Sequence, residues 1–205
     1  MTATPSTGIA RTRLAWHALA EWVVAPARQA IDRRIGLAAT PGGFGAPTTD
    51  LRVDGAELVV GDDRRRITTL AEAAAFAGVT PGRSTEVYET VTRWDPDAPL
   101  VIDVDAAGLL ADWFALGTAA LGILGADEIT LWPEHFDVAT TFEDRVNLGA
   151  SPGDAEHPEP YLYVGPWEHH EGAFWNEPFG ASLGLARVDS LDTAVAFLRE
   201  GLAQL

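Results

Sequence analysis

Side chains able to hold a metal or move a proton crowd into residues 131–167, in Trp132-Pro-Glu-His-Phe-Asp137, Ser151-Pro-Gly-Asp154 and His157-Pro-Glu-Pro-Tyr-Leu-Tyr163. Neutral imidazole and ionised carboxylate are donors of zinc, manganese and iron sites. In an extended segment alternate residues share a face, so His135 and Asp137 are expected to point one way. The same parity groups His157, Glu159, Tyr161 and Tyr163. If a strand at 145–148 and its turn fold the two segments together, His135, Asp137, His157 and Glu159 converge on a divalent metal, zinc or manganese. Trp132, Glu134, Tyr161 and Trp167 are then the expected lining of a small-ligand site, open to hydrolase or isomerase chemistry. No H-E-x-x-H spacing is present. A structural role for His135, bonded to Asp137 or a carbonyl, therefore stands beside the metal reading.

Other motifs carry less. Gly149-Ala-Ser151-Pro-Gly153 matches G-x-S-x-G, but the residue after the serine must donate a backbone N–H to the oxyanion, and Pro152 has none. Ser-Pro-Gly-Asp reads instead as a type II turn. His169 and His170 are adjacent, so in extended chain they diverge and cannot share a metal. Pro41-Gly-Gly-Phe-Gly45 lacks a strand–helix phosphate-binding context and reads as a hairpin turn. Of the seven tryptophans most should be core, while Trp132, Trp167 and Trp175 flank the polar cluster.

Composition closes several classes of chemistry. All fourteen basic residues are arginine, and the chain has no lysine and no cysteine. No lysine means no internal Schiff base to pyridoxal phosphate and no phosphate-loop lysine. No cysteine means no thiolate nucleophile, no disulfide, no iron–sulfur cluster and no covalent haem. A formal charge of −16 repels nucleic acid and anionic membranes and favours cationic or basic partners, so the partner is expected to be a small molecule or a basic protein. Arg64-Arg65-Arg66 directly follows Asp62-Asp63, which predicts a neutralised turn or strand edge. Arg13, His17 and Glu21 interrupt residues 12–30 as a signal peptide, so a cytoplasmic location is expected. Residues 106–126 approach the length of a membrane span, but Asp112 lies mid-run and acids flank both ends, which predicts a buried core helix.

The elements that must position these groups follow from periodicity. A tail is expected over residues 1–9 and a single globular domain over 10–205. An amphipathic helix at 9–30 should kink or end at Pro26. Short strands follow at 35–39, 44–47, 51–53 and 57–60, with Asp54-Gly55 as a hairpin turn. A short helix at 69–77 is capped by Thr68 or Thr69 and closed by Gly78. After the long helix come strands at 129–131, 145–148, 161–164 and 182–188, and a last helix capped by Ser190. This order predicts an α+β fold: a curved antiparallel sheet, a long central buried helix, and flanking N- and C-terminal helices.

The Trp-Pro-x-His-Phe-Asp, Ser-Pro-Gly-Asp and Pro-Glu-Pro-Tyr segments together resemble those of a bacterial family of uncharacterised domains of unknown function. The resemblance covers about residues 105–190. It implies no activity and no catalytic residues, only that the three segments belong to one structural unit. Two functions are expected from the sequence: a soluble protein with a small-ligand or metal site in 131–167, or a non-enzymatic acidic protein-interaction module. The oligomeric state is not set by these features. Because Pro152 removes the oxyanion donor, a serine-directed fluorophosphonate should leave the protein unlabelled in intact-mass spectrometry. Stoichiometric labelling at Ser151 would overturn that exclusion.

Overall fold

The computed structural model describes residues 5–81 and 88–205. The body expected over residues 10–205 is resolved into two compact units, Met1–Asp112 with Leu131–Phe136, and Trp113–Thr130 with Asp137–Leu205.

The first unit opens with α1 (Pro5–Leu19), which starts inside the stretch expected as a tail. One π turn, Ala20–Val24, joins it to α2 (Ala25–Asp32) without a break. Pro26 has no N–H, and its ring would crowd the carbonyl four residues back in a regular helix. The wider turn, in which Ala25 N–H reaches Ala20 O, relieves that conflict, so the helix continues through the proline instead of ending there. Next comes an antiparallel meander of β1 (Ala38–Thr40), β2 (Gly43–Gly45), β3 (Leu51–Asp54), β4 (Glu57–Val60) and β5 (Asp63–Arg66). Strand β5 carries the arginine run, exposed along its whole length. Arg64 is 3.0 Å from Asp54 and 3.1 Å from Glu57, so the sheet ends in a charged, aggregation-resistant edge. Helix α3 (Leu70–Ala77) is capped by Thr69, whose side chain accepts from Glu72 N, and stops at Gly78 in the left-handed conformation. Trp16, Leu19, Phe44, Val53, Leu58 and Leu70 form the buried centre.

Helix α4 (Val104–Ile123) is the long apolar helix, with Asp103 capping its first turn by accepting from Ala106 N at 2.9 Å. By length and composition it could cross a membrane, and half of it is buried within the protein. The second unit holds its C-terminal part, strands β7 (Asp137–Phe142), β8 (Val146–Ser151), β9 (Tyr161–Pro166) and β10 (Ala181–Gly184), and α5 (Leu191–Ala203). The strand order is β10-β9-β8-β7, all antiparallel. The chain passes from the second unit to the first within the short strand β6 (Thr130–Trp132), whose Leu131 bridges Leu37 of the first.

Alternation divides the second sheet into two faces. Val138, Leu148, Ala150, Leu162, Val164 and Leu183 make the apolar one, and α4 lies so close that a Cβ on Gly117 would sit 2.4 Å from Ala150 Cβ. Helix α5 is capped by Ser190 as expected. The α+β class, the antiparallel pairing, the long helix and both flanking helices match the sequence expectation, while the strands form two sheets where one was expected. On α4, Leu110, Trp113, Phe114 and Leu121 are buried, while Leu109 and Leu116 are half-buried.

Trp113 is 3% exposed and its indole N–H donates to Ser151 O at 2.8 Å. Trp113→Ala should therefore cost ~3–5 kcal/mol in urea unfolding, through the cavity and the orphaned carbonyl. A loss under about 1 kcal/mol would contradict this packing.

Candidate functional site

The register of β8 against β9 sets the chemistry of the second unit. Ser151 faces Tyr161 and Gly149 faces Tyr163, while Ala139 of β7 faces Gly149 from the other side. Two residues along each strand return to the same face, so Asp137, Ser151, Tyr161 and Tyr163 share the face opposite the apolar one. Gly149 is required there, because a Cβ would meet the Tyr163 ring at 2.6 Å. Tyr163 thus crosses β8 and donates its hydroxyl to Asp137 Oδ2 at 2.5 Å. Burial, then the Asp137 charge and this bond, push the Tyr163 hydroxyl well above its ordinary pKa of 10.

The network becomes more accessible beyond this pair. Tyr161 donates to Asp154 Oδ2 at 2.8 Å, and burial followed by that bond raises its pKa as well. Asp154 Oδ1 accepts the backbone N–H groups of Glu156 and His157, both at 2.7 Å. Burial would raise the Asp154 carboxyl, but those N–H groups and the Tyr161 hydroxyl outweigh it and hold the group below the usual carboxylate range. His157 lies between two acids, with Nδ1 3.9 Å from Asp154 and Nε2 3.2 Å from Glu177. Glu177 also accepts from Ser182 Oγ at 2.7 Å. Three rings gather at this edge: His157 is 5.1 Å from Tyr161 and 6.1 Å from Phe179, and Tyr161 is 6.3 Å from Phe179. Phe179 is 40% exposed.

The metal site expected from His135, Asp137, His157 and Glu159 is not formed. Among the described residues no group of three or more His, Asp or Glu side chains is placed to hold a metal ion. The parity argument fails at its first step, because 133–136 is a tight turn and not extended chain. Phe136 N–H closes it onto Trp132 O at 2.7 Å, with Phe136 in the left-handed region at φ 54°. His135 is exposed on that turn, Asp137 is taken by Tyr163, and Glu159 is exposed. His157 of that set does have carboxylate neighbours, but they are Asp154 and Glu177.

The expected ligand-lining residues scatter likewise. Tyr161 belongs to the network, Trp132 is half-buried on β6, and Trp167 is 61% exposed at the end of β9. Glu134 is half-buried, and its Oε2 finds no hydrogen-bond partner among the described residues. The Ser-Pro-Gly-Asp segment also departs from a type II turn. Gly153 has the required positive φ of 94°, but its N–H bonds Ser151 Oγ and Asp154 N–H bonds His157 O. Ser151 is 6% exposed.

A second polar group lies inside the first unit. His17 donates from Nε2 to Pro133 O at 2.8 Å and stacks on Phe136 at 5.1 Å with 9° between the planes. Burial, chiefly, pushes its pKa down to about 4. Glu21 is fully buried in the π turn and accepts from Val91 N–H and Thr92 N–H, both at 2.7 Å, and from the Thr92 hydroxyl. Burial nonetheless raises its carboxyl above the usual range, and the nearby Glu134 adds to the effect. The two helix neighbours are 3.9 Å apart but form no ion pair at neutral pH, since His17 is uncharged there.

No protein-family model, curated protein or solved structure matches this chain. The likeness to the bacterial family rests on its three motifs alone. Compactness assigns Leu131–Phe136 to the first unit and Asp137 with the other two motifs to the second.

Tyr161 and Tyr163 should both resist ionisation in the native protein. Their folded pKa values exceed the unfolded value of about 10, so the stability they contribute is present below that pH and lost as pH rises through the folded values. Tyrosinate absorbance at pH 11 should show at most one of the three tyrosines ionised before unfolding, and two or more would contradict the network.

Proposed function

We propose that the chain is a ligand-binding protein whose second unit receives a small organic cation at the His157, Tyr161 and Phe179 edge. The observation that supports this reading is the meeting of three aromatic rings with the Asp154 and Glu177 carboxylates at one half-exposed place. Ring faces attract ammonium and guanidinium groups by ~0.5–2 kcal/mol, and a carboxylate beside them supplies the counter-charge. The bonds from Tyr161 and from two backbone N–H groups keep Asp154 ionised, so the negative field is present before the ligand arrives. That preorganisation spares the ligand the cost of ordering its receptor.

The chemistry is recognition rather than group transfer. Both tyrosine hydroxyls are held as donors, and Ser182 donates to Glu177 instead of to an imidazole, which leaves no serine–histidine pair in this cluster. The overall charge of −16 favours a second form of the same reading, an acidic module that takes the basic side chain of a partner protein.

Titrating tetramethylammonium and arginine methyl ester into the full chain by NMR should perturb the resonances of His157, Tyr161 and Phe179. Phe179→Ala and Glu177→Gln should each weaken binding roughly 3–30-fold, the range of a lost cation–π contact or charge. Unaltered spectra at tens of millimolar ligand would overturn the small-cation reading. Perturbation by an arginine-rich peptide but by neither small cation would shift the assignment to the protein-binding form.

A further inference from the structure

We infer that His17 is an acid-operated catch, which holds the 133–136 turn on the first helix while its imidazole is neutral and releases the turn when the imidazole takes a proton. Both partners belong to the first unit, and the inference does not depend on the cation site of the second.

Leu131 and Leu37 exchange backbone bonds at 2.7 and 2.8 Å, Phe136 sets its ring edge-on to Phe44 at 5.3 Å, and His17 supplies both the bond to Pro133 O and the stack on Phe136. The turn is also strained. Phe136 is a bulky residue at φ 54°, a conformation that persists only where its surroundings enforce it. His17 touches the turn at both of its ends, Pro133 and Phe136.

Charges face the imidazole from two elements. On its own helix Arg13 lies one turn before it and Glu21 one turn after, the latter 3.9 Å away. On the turn are His135, close enough to repel a charged ring, and Glu134, which acts on Glu21. The Pro133 carbonyl, the Phe136 ring and Glu21 all favour an imidazolium. Loss of water opposes it, with Arg13 and His135 adding to the opposition, and the loss of water dominates because His17 is only 8% exposed. A proton arriving at His17 is therefore accommodated by letting the ring reach solvent, and that movement gives up Pro133 and Phe136 together. Strain in the Phe136 backbone favours the same opening.

The expected size follows from linkage. With the closed ring at about 4 and the open ring at its ordinary 6.5, lowering the pH from 7.5 to 5 raises the open-to-closed ratio about 30-fold. The stabilisation by neutral His17 is present above pH 6.5 and is lost as pH falls toward 4.

Amide hydrogen exchange of the full chain reads the opening directly, since Phe136 N–H bonds Trp132 O and Leu37 N–H bonds Leu131 O. Protection factors at Phe136, corrected for intrinsic exchange, should fall about 30-fold between pH 7.5 and 5 in the wild type. They should stay level in His17→Gln, which keeps a donor for Pro133 but cannot charge. The His17 ring signal, identified by its loss in His17→Gln, should remain that of a neutral imidazole at pH 5. Unchanged wild-type protection overturns the proposal, as does an equal fall in His17→Gln or titration of the His17 ring above pH 6. If His17→Gln does not fold, the wild-type protection factors still decide.

Discussion

The pairing of β8 with β9 is the constraint on which the second unit depends. Because side chains alternate, the register Ser151↔Tyr161 sends Leu148, Ala150, Leu162 and Val164 to one face and Ser151, Tyr161 and Tyr163 to the other. A slip of one residue would turn the tyrosines toward α4 and the leucines away from it. Three contacts resist that slip. Trp113 holds Ser151 O, Gly117 admits Ala150, and Gly149 admits the Tyr163 ring. The glycines matter by what they lack, since a methyl at either position would force the helix off the sheet or the tyrosine off Asp137.

The first unit meets a different problem, how to bury polar groups on an otherwise apolar helix. His17 and Glu21 occupy positions that lose water, and an unpaired buried polar group costs ~1–3 kcal/mol. Both are satisfied by chain distant in sequence: Pro133 O for the imidazole, and the backbone and side chain at 91–92 for the carboxylate. The π turn that places Glu21 exists because Pro26 follows it. A single proline thereby shapes a backbone irregularity, and the irregularity carries the buried acid.

Much of the fold was legible because its signals are local. Thr69, Ser190 and Gly78 marked helix ends, Asp54-Gly55 marked a hairpin, and the acids before Arg64 marked an edge. The site was less legible because its geometry depends on one residue in an unusual conformation. Reading residues 132–137 as extended chain placed His135 beside Asp137, whereas the left-handed Phe136 closes a turn and separates them. Strand β7 was missed for the same reason, since it begins only where that turn ends. Asp154 gave a usable signal: three residues before His157 and just after a Pro-Gly pair, it is placed to accept backbone N–H groups. Glu177 and Phe179 gave none. They come from an irregular loop brought in by β10, and only tertiary structure sets them against His157.

The two polar clusters differ in the direction their surroundings push a proton. Around Asp154, donors outnumber what desolvation takes away, so the acid stays charged and the tyrosines stay protonated over a wide pH range. Such a cluster presents a fixed field and suits recognition of a cation. Around His17 and Glu21 desolvation prevails, and both groups are driven toward their neutral forms. Groups poised in that way respond to a change of pH by moving or by unfolding what covers them. The difference comes from burial: Asp154 and Glu21 each accept two backbone N–H groups and a hydroxyl, but Asp154 sits at a half-exposed edge, whereas Glu21 and His17 lie inside the protein, where loss of water prevails.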